Sequence, residues 1–262
     1  MNSNYIKATI LVAFLFISIP LVYLGWKSSS ASIDFKALDE AKSSEMSVLN
    51  DEQFNQFLKN IGNTSKEVKP DILNSTDTQR LAISIELLDT LGQYAYAGIL
   101  AEKLAVIQNS DFRYAQSARF FLSETANHPT PQNDFMFLKK AKQNFEKSLE
   151  INPSNNNVKI ELALSILNIQ DIQPAKGSEQ MKPMLMLLDV VKNDSDNIEA
   201  NYYLAKLGVR SGQFEKAVKR FKKLVYLQPQ NKEYCMELSE VYKLWGKPEE
   251  EQIWAKKALN LK

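Results

Sequence analysis

Laid one below the other at an offset of 34, residues 198–231 (IEANYYLAKLGVRSGQFEKAVKRFKKLVYLQPQN) and 232–262 (KEYCMELSEVYKLWGKPEEEQIWAKKALNLK) match. Leu204 falls over Leu238, Gly212 over Gly246 and Leu227 over Leu261. Self-similarity at a fixed period of this size confines a chain to few folds. One such unit cannot bury its own apolar face, so it must stack on a neighbour like itself. Apolar residues recur at helical spacing on both sides of each glycine, which makes the unit helix, turn, helix.

The same grid extends backwards. Residues 78–111 place Gly92 in the turn, with Ala97 and Ala101 on a second helix. Residues 112–155 begin a helix at Phe112 to Ser123 and end with Ala141, Phe145 and Pro153 at second-helix places. The Pro- and Asn-rich stretch from Ala126 to Asn133 is expected between them as a lengthened loop. Residues 156–197 carry a first helix around Leu162 and Ala163 and a second around Met184 to Val191, with another extended loop near Gln170 to Glu179. The expected fold is all-α, a solenoid of about five helix–turn–helix repeats over 78–262.

The unit at 198–231 resembles the tetratricopeptide repeat. Leu204, Ala205, Gly212, Ala217, Phe221 and Pro229 stand where that family places its signature residues. The choices make physical sense. Small residues at Ala205 and Ala217 let two helices approach, and Gly212 permits the tight turn. Pro229 stops the second helix from running on. The resemblance implies a concave face lined by the first helices, and so a groove for peptides. It places Glu199, Tyr202, Lys206, Val209 and Arg210 there, with Glu233, Met236, Glu240, Lys243 and Leu244 from the last unit. Asn157, Ile160, Leu164, Leu167 and Asn168 would follow from the unit at 156, and Arg113, Gln116, Phe120 and Glu124 from that at 112. The family's carboxylate-clamp constellation does not match, because Glu199 and Tyr203 occupy two of its places.

Ahead of the repeats, Ala8 to Trp26 contains no charged residue. As a helix it would be about 28 Å long, close to the ~30 Å hydrocarbon thickness of a bilayer. Lys7 and Lys27 bracket it, and Tyr5, Tyr23 and Trp26 stand at interfacial depths. Residues 1–27 therefore read as a single-pass anchor. The rival is a cleaved signal peptide, with a small-x-small site at Ser29 and Ala31, but the apolar core is longer than such peptides carry. The charge count across the span (Lys7 against Lys27, Lys36 and Lys42) is weak or contrary on orientation. The signal-anchor layout favours an inner membrane with the C-terminal part periplasmic. Residues 28–77 read as a serine-rich linker with capping helices, among them the stripe Phe54, Phe57, Leu58 and Ile61, and Asn63 to Thr76 as loop.

Several functions are unsupported. Lys plus Arg (32) nearly balances Asp plus Glu (31), so a nucleic-acid partner is not expected. One histidine, His128, and one cysteine, Cys235, leave no metal set and no disulfide framework. No Gly-rich phosphate loop or nucleophile motif is present, so neither catalysis nor a cofactor is expected. The basic run Lys216, Lys219, Arg220, Lys222 and Lys223 reads as a solvated outer face, the alternative being contact with anionic lipid or an acidic protein. Met181, Met184 and Met186 read as core filler, the alternative being a promiscuous binding surface. His128 reads as a loop residue without partners. What remains is a membrane-tethered scaffold or assembly factor holding a protein or peptide. The alternatives are a cytochrome c maturation factor, similar in layout, or a self-associating envelope protein.

Overall fold

A computed structural model of the chain describes residues 70–129 and 131–261. The apolar span at 8–26 and the helix expected at Phe54 to Ile61 lie outside them. Among the described residues there are ten α-helices and two short 3-10 turns. None of these helices is long and apolar enough to cross a membrane. The helices are α1 (Thr78–Thr90), α2 (Tyr94–Gln108), α3 (Asp111–Asn127), α4 (Pro131–Ile151) and α5 (Asn156–Ile172). They continue with α6 (Lys182–Asn193), α7 (Ile198–Arg210), α8 (Phe214–Leu227), α9 (Lys232–Leu244) and α10 (Pro248–Asn260).

Two local devices repeat with the period. The first helix of a pair opens on a side-chain cap: Asp77 accepts from the N–H groups of Gln79 and Arg80, Asn155 from Val158, Asn197 from Ala200 and Asn231 from Glu233. Each occupies a donor that the helix leaves unpaired at its start. Three first helices then end on glycines in the left-handed region, Gly92 (φ 70°), Gly212 (φ 72°) and Gly246 (φ 73°). The next residue closes the turn, Gln93 donating to the Leu88 carbonyl, Gln213 to Gly208 and Lys247 to Tyr242, at 2.8, 2.8 and 2.9 Å. A residue with a Cβ disfavours this backbone, which is why glycine recurs there.

The chain divides into two compact units. One holds the described residues up to Gln108 with Gln116–Lys140, the other Asn109–Ala115 with Ala141 onward. In the first, Leu81, Ile85 and Leu88 of α1 bury against Ala97, Leu100, Ala101 and Leu104 of α2. Gly98 lets α3 come close: a Cβ there would stand 3.0 Å from Phe121 Cε1, and the Ser117 hydroxyl donates to the Gly98 carbonyl at 2.7 Å. The loop expected up to Thr76 is partly ordered into a 3-10 turn at Pro70–Asn74. Ile72 is buried in the same core, and Lys103 donates to the Leu73 carbonyl.

The lengthened loop expected from Ala126 to Asn133 is corrected: α3 runs on to Asn127 and α4 begins at Pro131. Proline at a helix start lacks only a donor that would be unpaired anyway. The extra residues lengthen helices instead.

In the second unit α6 to α10 each pack on the helix before. Ala205 and Ala217 are fully buried, and a Cβ on Gly208 would stand 3.4 Å from that of Ala217. Phe221 is fully buried among Tyr234, Cys235, Leu238 and Val241 of the following helix. Such burial stabilises by about 1.5–3 kcal/mol. The extended connector expected after Gln170 is present, with a 3-10 turn at Gly177–Met181. Met184 and Met186 pack against the core, whereas Met181 is exposed and not core filler.

Candidate interaction surface

The first helices of the second unit, α5, α7 and α9, are linked side to side. Toward α9, Lys206 Nζ donates to both oxygens of Glu237 at 3.0 Å, and the Tyr202 hydroxyl donates to the same carboxylate at 3.3 Å. Toward α5, the Arg210 guanidinium donates to Asp171 at 2.6 Å. Exposed pairs of this kind add at most about 1 kcal/mol each, so they set geometry more than stability. The result is one face built from three helices.

Aromatic rings stiffen its centre. The Tyr202 ring lies 5.5 Å from Tyr203, 6.0 Å from Phe221 and 6.1 Å from Tyr234, centroid to centroid. Burial, then the charges of Glu237 and Glu233, hold the Tyr202 phenol far above its ordinary range. Burial and the Glu199 charge push Tyr203 up to about 12. Glu199 is open to solvent by area. Protein atoms crowded around its carboxyl, and then the Glu161 charge, raise its affinity for a proton.

The residues expected in a groove divide in two. Glu199, Tyr202, Lys206 and Arg210 lie on α7, and Met236, Glu240 and Lys243 on α9, the helix that Tyr202 and Lys206 reach through Glu237. Met236 is 55% exposed. Glu240 and Lys243 pair with each other at 3.6 Å across an exposed turn. Lys206 and Arg210 already hold carboxylates, so neither stands ready for an acidic terminus. Ile160 is a correction: it is fully buried with Leu187 and Leu204, because α6 and α7 close over it. Phe120 is buried in the core of the first unit. Glu124 accepts from the Ala95 N–H at 3.0 Å and pairs with His128 at 3.1 Å. Its carboxylate serves the start of α2, and His128 has a partner after all.

Glu237, Asp171 and Tyr234 were not in the expected set. Glu237 stands at the sixth place of its repeat, where Tyr203 and Glu161 stand in theirs. A cation on α7 with a carboxylate about one repeat further on is the signal that finds it. The basic run also resolves by direction. Arg220 donates to the buried Asn201 side chain at 2.9 Å, and Lys223 pairs with Asp196 at 2.9 Å. These two brace the protein, and the others face out. Among the described residues no group of three His, Cys, Asp or Glu side chains is placed to hold a metal ion.

Comparison with known proteins gives the same reading of the backbone. The Tetratricopeptide repeat family matches residues 198–231. No curated protein matches the chain as a sequence. Among solved structures, MamA 41-end from Desulfovibrio magneticus RS-1 superimposes with a TM-score of 0.56 at 15% identity, covering 71% of this chain and 96% of that one. The MamA RS-1 ArsTM double mutant gives 0.57 at 17%, covering 71% and 95%. YrrB, described as a TPR protein with an unusual peptide-binding site, gives 0.51 at 16%, covering 78% and 91%. At such identities the likeness concerns the fold. Residues 198–231 thus match a tetratricopeptide repeat, and the helix pairs on either side, which reuse its caps and glycine turns, give the described part of the chain the fold of those solved structures.

Proposed function

We propose that this chain is a non-catalytic interaction scaffold that takes a peptide or protein segment along the face of α5, α7 and α9. The carrying observation is the linking of those helices: a braced Tyr202 on α7, bonded through Glu237 to α9, which carries an exposed Met236 next in sequence to that carboxylate. Fixed aromatic groups limit the entropy lost on binding, and methionine adapts to its partner. The peptide-binding site of YrrB, a protein of the same fold, lends support. The apolar stretch at 8–26 supports a membrane tether that presents this face on the exported side.

A photo-reactive side chain at Met236 in the native host should crosslink a discrete partner. The same group at Tyr226, which lies on α8 outside this face, should not capture that partner. Equal capture from both positions, or none from Met236, would sink the assignment. The tether has its own test. The full chain should stay in the membrane fraction through carbonate extraction, and its release would remove that part of the proposal.

A further inference from the structure

The second helices of the same unit have outward sides that the proposed binding face does not use. On α8 the buried residues Ala217, Phe221 and Leu224 take one side, and Lys219 and Tyr226 take the other at i and i+7, with the exposed Lys222 at its edge, its ammonium 5.8 Å from the Tyr242 ring. Tyr226 is 82% exposed. On α6, Leu185 and Lys192 recur at i and i+7 on the outer side, with Leu185 58% exposed. On α10, Ile253 and Lys256 do the same at i and i+3, with Ile253 63% exposed. Three successive second helices thus each combine an exposed apolar or aromatic side chain with an exposed lysine. The carboxylates of these helices are paired or sit at helix starts. Asp189 is held by Lys159 at 2.6 Å, Glu215 lies at the start of α8, and the α10 glutamates sit in its first turn.

From this pattern we infer that the outer side of α6, α8 and α10 docks on the headgroup layer of an anionic phospholipid bilayer. Lysines alone would suit any anion. Interleaved Tyr226, Ile253 and Leu185 suit a surface with phosphates above and acyl chains just beneath, where apolar groups enter and lysine heads stay with the phosphates. An acidic polypeptide offers the charge without that apolar layer. Each lysine near such a surface is worth about a fivefold gain in partition, lost as salt screens it. The inference does not depend on what the α5, α7 and α9 face binds.

The test uses the full chain reconstituted in vesicles of phosphatidylcholine with or without phosphatidylglycerol. An environment-sensitive fluorophore is placed at Tyr226→Cys, and in a second preparation at Met236→Cys, with the buried Cys235 left in place. Headgroup-labelled lipid should quench the label at 226 only in the anionic vesicles, and the label at 236 in neither. High salt, or the variant Lys219→Gln/Lys222→Gln/Lys256→Gln, should reduce that quenching about tenfold or more while helical circular dichroism is retained. Quenching that is equal at both positions, indifferent to phosphatidylglycerol or unchanged in the variant overturns the inference. So does a label at 226 that ignores lipid but responds to soluble poly-glutamate, which would assign the patch to an acidic protein.

Discussion

At Tyr202 one ring touches three others while its hydroxyl is bonded to a carboxylate on the next first helix. Such a phenol cannot ionise without placing a third negative charge beside those of Glu237 and Glu233. The consequence for stability has a definite sign. Unfolded, Tyr202, Tyr203 and Tyr234 lose their protons near the usual phenol value of about 10, whereas in the fold all three hold them to higher pH. Their contribution is intact below that value and is lost as pH climbs beyond it, because the unfolded chain then binds fewer protons. Urea midpoints should fall as pH is raised past about 10, and Tyr202→Phe should flatten the fall. A slope unchanged in Tyr202→Phe would mean that desolvation of this phenol is not its cause.

The helix pair is where local chemistry becomes architecture. Gly212 sits at φ 72° with nothing within 4 Å of where a Cβ would stand, so the cost of Gly212→Ala is purely one of backbone. That variant should lose about 1–2 kcal/mol in chemical denaturation with its folded spectrum unchanged. A neutral result would show that the turn does not need its left-handed residue. Gly98 is different, because an added Cβ would meet the Phe121 ring at 3.0 Å. Most of the pair was legible in the sequence, because Gly92, Gly212 and Gly246 fall at the same phase of a helical pattern and depend only on local geometry. The asparagine caps Asn155, Asn197 and Asn231 were not among the expectations, because asparagine marks a loop as readily as a helix start. The ends of α3 and α4 were not legible either, because Pro and Asn punctuate a helix start as readily as a loop. Place numbers put Tyr202 and Met236 on neighbouring first helices, whereas Ile160 went inward because α6 and α7 cover it. A partner such as Glu237 is set by how neighbouring repeats dock, which no single repeat encodes.

Across the second unit, stability should follow position along the stack, since each pair gains most from its immediate neighbours. Only Ala258 is buried on α10, against five residues on α8. Amide exchange should therefore open α10 at the lowest free energy and α8 near the highest, with exchange read by mass spectrometry. Equal protection of both would argue for a unit that opens as one body. The asparagine ahead of each first helix has a further consequence for how such a protein changes length. Excising 198–231 joins Asn197 directly to Lys232, so α9 inherits a capping asparagine in the position where Asn231 stood. A cassette that carries its own opening signal and its own brake can be dropped or duplicated by recombination without a new junction having to be invented. The number of such cassettes, and with it the length of the stack, is then free to drift.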